Sequence, residues 1–190
     1  RVSLVCFGTG EPVQLNGQPA SQIYADLTAP AASGEALDLT TAGSLAANLL
    51  TSFQGASKKA KFEIDAELAR AWLRQPNPNG RPNSDVLKPW ANGFELSRRP
   101  QEQWIVDFGN EMPEGDASLY EAPFEYVTRV VKPDRITKSE PALRDYWWRF
   151  GRPRVDMRAA FEPLPRFIAT IAHSKYRFFV WLPVTTSPDQ

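Results

Sequence analysis

Apolar positions along this chain change spacing between period two and period 3.6 in short runs, which predicts a mixture of strands and short helices. Residues 2–7 read as a buried strand. Asn16-Gly17 between short flanks predicts a tight hairpin, because this dipeptide accepts the positive φ angles of a two-residue turn. Residues 27–48, rich in Ala, Thr, Leu and Gly, carry no firm pattern. Phe62-Glu63-Ile64 reads as a short strand. Asp65 then caps a helix that gathers Leu68, Ala69, Trp72 and Leu73 on one stripe and stops before Pro76. Residues 75–90 hold four prolines, three asparagines and a glycine, the composition of a turn-rich loop, and the main boundary is placed here.

The second half alternates more strongly. Residues 103–108 form the strongest predicted strand, ended by Gly109-Asn110, and Arg98-Arg99 follow an Asn92-Gly93 turn. A helix starting at Asp116 or Ser118 turns Leu119, Tyr120, Phe124, Val127 and Val131 inward, with Pro123 kinking or restarting it. Thr137-Lys138-Ser139-Glu140 has the capping-box pattern before Pro141, and Leu143, Tyr146, Trp147 and Phe150 follow at helical spacing. Gly151 is expected to end that helix in a left-handed turn. Residues 155–162 read as another helix, and residues 167–172 and 176–182 as two strands joined around His173-Ser174. Strands and helices in this irregular order predict an α+β fold, divided into residues 1–75 and 76–190.

Composition narrows the class. The 190 residues are 42% hydrophobic and 12% aromatic with six Trp, enough for a core, and no apolar run is long enough to predict a membrane span. Residues 1–7 are too short and wrongly built for a secretory signal, and without an initiator Met the chain is expected to be a piece of a longer protein. A single Cys (Cys6) excludes an intramolecular disulfide. With one His (His173) beside it, a zinc site has too few ligands, and a cytoplasmic setting fits. The net charge of zero hides an asymmetry. Residues 129–177 hold twelve Lys/Arg against five Asp/Glu, whereas residues 1–128 hold ten against sixteen. That imbalance implies either a localised anionic partner or a basic face neutralised by the acidic half.

Catalytic patterns are incomplete. Phe7-Gly8-Thr9-Gly10 has glycine spacing too short for a nucleotide-type loop, and Asn77-Pro78-Asn79-Gly80 lacks the second Pro and the aromatic ring of an amine-holding methyltransferase loop. No Gly-x-x-x-x-Gly-Lys phosphate loop occurs, and His173 has no Ser or Cys nucleophile near it in sequence. The acidic pairs Glu111 with Glu114 and Asp107 with Glu121 lack a nuclease-type Lys at strand spacing. No catalytic, cofactor-binding or metal residue is therefore assigned.

Between residues 76 and 182 several blocks stand in a specific order. They are Pro76-Asn77-Pro78-Asn79-Gly80-Arg81-Pro82-Asn83, Lys88-Pro89-Trp90-Ala91-Asn92-Gly93, Arg98-Arg99-Pro100 and Trp104-Ile105-Val106-Asp107-Phe108-Gly109. Further on come Tyr120-Glu121-Ala122-Pro123-Phe124, Val131-Lys132-Pro133, Trp147-Trp148, Arg152-Pro153-Arg154 and Met157-Arg158. This text resembles the target recognition domain of MmeI-like restriction–modification proteins, single chains in which an adenine-N6 DNA methyltransferase, and often a nuclease, share one recognition domain. The resemblance implies that residues 76–190 recognise double-stranded DNA. Residues 1–7 would be the last strand of an upstream methyltransferase domain of the same chain, and residues 8–75 the connection. S-adenosylmethionine would then be a cofactor of the parent enzyme and not of this segment, whose family catalytic motifs lie upstream.

The residue types agree with that expectation. A DNA reader needs cations for phosphates and forked side chains for base edges, and Arg matches guanine bidentately better than Lys does. The expected DNA contacts are Arg98, Arg99, Lys132, Arg144, Arg149, Arg152, Arg154, Arg158, Lys175 and Arg177. About half of the arginines are expected to pair internally with Asp145, Asp156 or Glu162. Arg152 or Arg154, on a proline-braced loop, is expected to contact a base edge or an adjacent phosphate. Both Trp147 and Trp148 are expected to be structural, the alternative being that Trp148, near the basic face, touches DNA. The alternative reading is a protein-interaction domain whose basic face binds an acidic partner; an independent nuclease is weaker, since no metal constellation is visible.

Overall fold

The computed structural model describes residues 13–24, 27–30, 43 and 45–190. The expected strand at 2–7 and the Phe7–Gly10 loop lie outside these residues. The chain divides into two units, Arg1–Leu49 and Leu50–Gln190. In the first, strands β1 (Gln14–Leu15) and β2 (Gln18–Pro19) pair antiparallel. Asn16 and Gly17 connect them at φ 53° and 76°, the paired left-handed conformations that the Asn-Gly signal predicts.

The second unit is α+β. Its main sheet has the order β3-β5-β4-β8, with β3 at Glu63–Ile64, β4 at Leu87–Ala91, β5 at Trp104–Val106 and β8 at Ser187–Pro188. β5 pairs antiparallel with both β3 and β4, and β8 lies parallel to β4. Pairing of β3 with β5 joins the two sides of the 75/76 boundary read from the sequence, so the proline-rich segment lies inside one compact unit. β4 itself also corrects the expectation, because the sequence pattern assigns residues 87–90 to a loop. Pro89 is tolerated there because Trp90 N donates to Gln103 O and Asp107 N to Val86 O, so the even-numbered residues of β4 face β5. The nitrogen of Pro89 points the other way and costs no bond to β5.

Asp65 accepts from Leu68 N at 2.8 Å and starts helix α1 (Ala66–Trp72), which buries Ala69 and Trp72 of the predicted stripe together with Ala66, while Leu68 and Leu73 are half-buried. The loop after α1 is held by buried amides. Asn83, fully buried, donates through Nδ2 to Trp72 O at 2.8 Å, while its Oδ1 accepts from Asn77 Nδ2 at 2.9 Å. Asn92, expected at a turn, caps a short helix α2 (Gly93–Ser97) by accepting from Phe94 N and Glu95 N. Helix α3 (Glu114–Ser118) precedes helix α4 (Glu121–Val130), with Pro123 in the first turn of α4, where no intrahelical donor is needed. Pro123 therefore restarts the helix, and Tyr126, Val127 and Val131 continue its buried face.

Helix α5 (Lys132–Arg135) ends on Arg135, fully buried, whose Nη2 donates to Lys58 O and to Arg149 O. Among the described residues its Nε and Nη1 have no hydrogen-bond partner, and burial lowers its pKa, opposed by Asp134 and Glu140. Helix α6 (Pro141–Asp145) takes Pro141 at its start, but no side chain caps it. Thr137 instead donates from Oγ1 to Asp134 O, so the capping box does not form. The helix stops at Asp145, and Trp147, Trp148 and Phe150 reach the core from a turn. Gly151 is not left-handed; a Cβ there would lie 2.7 Å from Lys59 Cγ, so glycine serves close packing. The left-handed residue is Arg154, at φ 56°, preceding helix α7 (Val155–Phe161). Strands β6 (Arg166–Ala169) and β7 (Val180–Pro183) form a separate antiparallel ribbon, shorter than expected.

The core is aromatic. Phe62 meets Phe150 edge to face at 5.1 Å between centroids, and Phe124, Trp147 and Trp148 continue a second run at 5.4 and 5.9 Å. Each ring removed from water contributes on the order of 2–3 kcal/mol.

Candidate nucleic-acid interface

The cations named from sequence separate into those used inside the fold and those left in solvent. Arg149 is half-buried between α6 and α7. It donates from Nη1 to Asn110 O at 2.7 Å and from Nη2 and Nε to Met112 O at 2.8 and 3.2 Å. Its guanidinium also lies 5.2 Å from the Trp148 ring. Arg158 pairs with buried Asp107 at 2.8 Å and donates to Pro153 O, also at 2.8 Å. Arg154 donates to Gln54 Oε1 at 2.6 Å and Gly55 O at 3.3 Å. These three arginines hold segments distant in sequence together. Internal pairing was expected with Asp145, Asp156 or Glu162; Arg158 finds Asp107 instead, because Asp107 follows β5 into the core beside α7.

Lys132 stands between the two groups, 3.9 Å from Glu114 Oε1 and 4.4 Å from the Trp147 ring centroid. Both tryptophans are buried, at 4% and 5% exposure, and Trp148 Nε1 donates to Met112 O, so neither lies on the basic face. Arg98 leans on the Phe94 ring, and Arg99 makes no hydrogen bond or ion pair among the described residues. Arg144 reaches only Lys138 O, at 3.4 Å, from the exposed side of α6. Arg152 is exposed. Its backbone pairs with Ser57 as an antiparallel bridge, which fixes the Cα while the guanidinium has no partner among the described residues. Lys175 packs on Tyr176, and Arg177 donates to Ile171 O and Ala172 O across the loop between β6 and β7. Gly93, which starts α2, packs against Ile171 of the same loop at 3.4 Å from its would-be Cβ, so the helix that leads to Arg98 and Arg99 begins beside that loop.

The charge asymmetry survives folding. Of the Lys and Arg in 129–177, only Lys132, Lys138 and Arg158 have a carboxylate within ion-pair distance among the described residues, and only Lys132 and Arg158 reach acids of the first 128 residues. Arg135, Arg149 and Arg154 are held by carbonyl oxygens within the fold, and the charge offered to solvent is that of Arg129, Arg144, Arg152, Arg166, Lys175 and Arg177.

Elsewhere, an open depression of about 510 Å³ is lined by Arg81, Glu111, Asp116 and Tyr120 among others. Tyr120 donates to Asp85 Oδ2 at 3.0 Å, and its pKa is raised by burial and by Asp85. Among the described residues no three His, Cys, Asp or Glu are placed to hold a metal ion, and no helix is long and apolar enough to cross a membrane. Sequence reasoning passes over Arg166, Tyr176, Phe179 and Trp181 as ordinary ribbon residues, although all four are solvent-facing. The signal available is an aromatic-rich stretch without a single acid between Glu162 and Asp189. No protein-family model, curated protein or solved structure matches the chain.

Proposed function

We propose that this chain is a DNA recognition module that holds a duplex in place for adenine-N6 methylation carried out by an upstream methyltransferase domain of the same parent chain, and that it does not itself catalyse. The observation that carries the reading is the uncompensated basic segment, whose exposed Arg144, Arg152 and Lys175 have no carboxylate partner among the described residues. A polyanion releases counterions when such a surface neutralises its phosphates, which drives association. The family resemblance over residues 76–182 supplies the kind of polyanion and the chemistry of the neighbour. Phosphate contacts come from Arg98, Arg99, Arg144 and Lys175. Arg152, on a backbone-anchored loop, is the base reader, since ordering its Cα in advance lowers the entropy cost of placing its fork in a groove. S-adenosylmethionine belongs to the parent's upstream domain, and no described residue of this chain is assigned to it.

The test is duplex binding across a salt series. Affinity should fall steeply with salt, and Arg144→Ala with Lys175→Ala should flatten the slope by roughly one unit for each phosphate no longer neutralised. No measurable duplex binding at low salt, or a slope unchanged in the double variant, overturns the reading and leaves an acidic protein as the partner to seek.

A further inference from the structure

The β6–β7 ribbon buries one face only. Phe167 is buried and stacks on Phe161 with centroids 4.3 Å apart. On the opposite face Ile168 pairs with Trp181, and both are more than half exposed, at 55% and 57%. Phe179, just before β7, is 68% exposed, and Tyr176 in the connecting loop 72%. Grouped open rings of this kind mark an interaction surface.

Their charge surroundings select the partner. Residues 163–188 contain Arg166, Lys175 and Arg177 and no Asp or Glu. The Arg166 guanidinium lies 4.2 Å from the Trp181 ring centroid, and Lys175 Nζ lies 5.0 Å from that of Tyr176. The loop is also braced, since Arg177 donates to Ile171 O at 2.7 Å and Ser174 Oγ to Tyr176 O at 2.6 Å. An apolar protein surface would leave these cations unpaired, and an acidic one would leave the rings without apolar cover. A nucleic acid satisfies both, because each nucleotide offers a phosphate and the flat face of a base.

We infer that the β6–β7 ribbon enters a groove and sets Tyr176, Phe179 and Trp181 against bases at a locally unstacked step, with Arg166 and Lys175 on the flanking phosphates. A two-stranded ribbon fits the major groove, and inserted apolar side chains unstack neighbouring bases and kink the duplex. This rests on the DNA-binding reading above and adds the element and the mode of contact. Unstacking is costly in a paired duplex, so DNA with unpaired bases should bind more tightly than the same DNA fully paired.

The experiment compares the full chain on a fully paired random-sequence duplex and on the same duplex with mispaired central bases. The wild type should prefer the mispaired duplex. Tyr176→Ala, Phe179→Ala and Trp181→Ala should each weaken binding to it by roughly 5- to 150-fold, the range one base–ring stack is worth. Trp181→Phe, which keeps a ring, should retain most of the affinity, and thermal unfolding should be unchanged because the rings are exposed. If the alanine variants bind both duplexes as the wild type does, the ribbon does not stack on bases, while the DNA-binding reading stands. If the wild type binds neither duplex, that reading fails and this inference with it. If the variants change the oligomeric state and leave affinity alone, the ribbon is a self-association surface and the inference is overturned.

Discussion

Arg149→Ala and Arg152→Ala should separate structure from recognition at positions three residues apart. Removing the Arg149 side chain takes away its bonds to Asn110 O and Met112 O and its packing on Tyr146 and Trp148. Both carbonyls lose a charged donor, but Met112 O keeps that of Trp148 Nε1, so the larger loss is at Asn110 O. A hydrogen bond to a charged group contributes about 1.5–3 kcal/mol, and the stacking of the cation on the rings about 0.5–1 kcal/mol more. The expected destabilisation is therefore about 2–4 kcal/mol, or a Tm lowered by roughly 5–12 °C for a domain of this size. Arg152 is exposed, with no side-chain partner among the described residues, so its removal should change stability by less than about 0.5 kcal/mol while weakening duplex binding. Calorimetric unfolding and anisotropy titration of both variants give the comparison. Should Arg149→Ala unfold with the wild type while losing DNA affinity, the structural role argued for Arg149 is refuted. A destabilised Arg152→Ala would equally refute the free guanidinium.

Asn83→Ala should cost about 1–3 kcal/mol by denaturant titration, because it removes two buried hydrogen bonds, to Trp72 O and from Asn77 Nδ2, although these groups keep Gln75 N and Arg81 O as partners. Gly55→Ala would place a Cβ 2.0 Å from Asp189 O, a backbone atom, and should release the C-terminal strand β8 from β4. Faster proteolysis near residues 184–190, with the rest of the unit protected, is the expected sign. Burial, reinforced by Glu63 and opposed by Arg129, raises the pKa of Tyr126, whose hydroxyl donates to Glu63 O at 2.6 Å. The fold thus holds that proton more tightly than the unfolded chain does. Its stabilisation is complete below the unfolded value near 10 and is lost as pH rises through the folded value. Stability measured from about pH 8 to about pH 11 should fall less in Tyr126→Phe than in the wild type, and parallel curves would contradict the assignment.

Local chemistry was legible wherever neighbours in sequence decide the conformation. The Asn16-Gly17 hairpin, the Asp65 cap with its apolar stripe, the Pro123 restart and the two strands of the β6–β7 ribbon follow from backbone preferences acting over a few residues. The α+β class follows from their alternation, and the excess of positive charge in 129–177 is a property of composition alone. The destination of each charge was not legible. Arg158 meets Asp107 across 51 residues, Arg149 reaches Met112 across 37, and Arg154 reaches Gln54 across 100. Asn83 looks like one more turn residue until Trp72 O is brought to it, and Arg135 looks like one more surface cation until Phe62 and Lys58 close over it. A guanidinium reaches several ångströms and accepts any carbonyl or carboxylate it meets as a partner, so that partner is selected by which strands lie side by side. That pairing depends on long-range burial of the aromatic core, and only the folded chain separates the arginines that build the domain from those it leaves for a ligand.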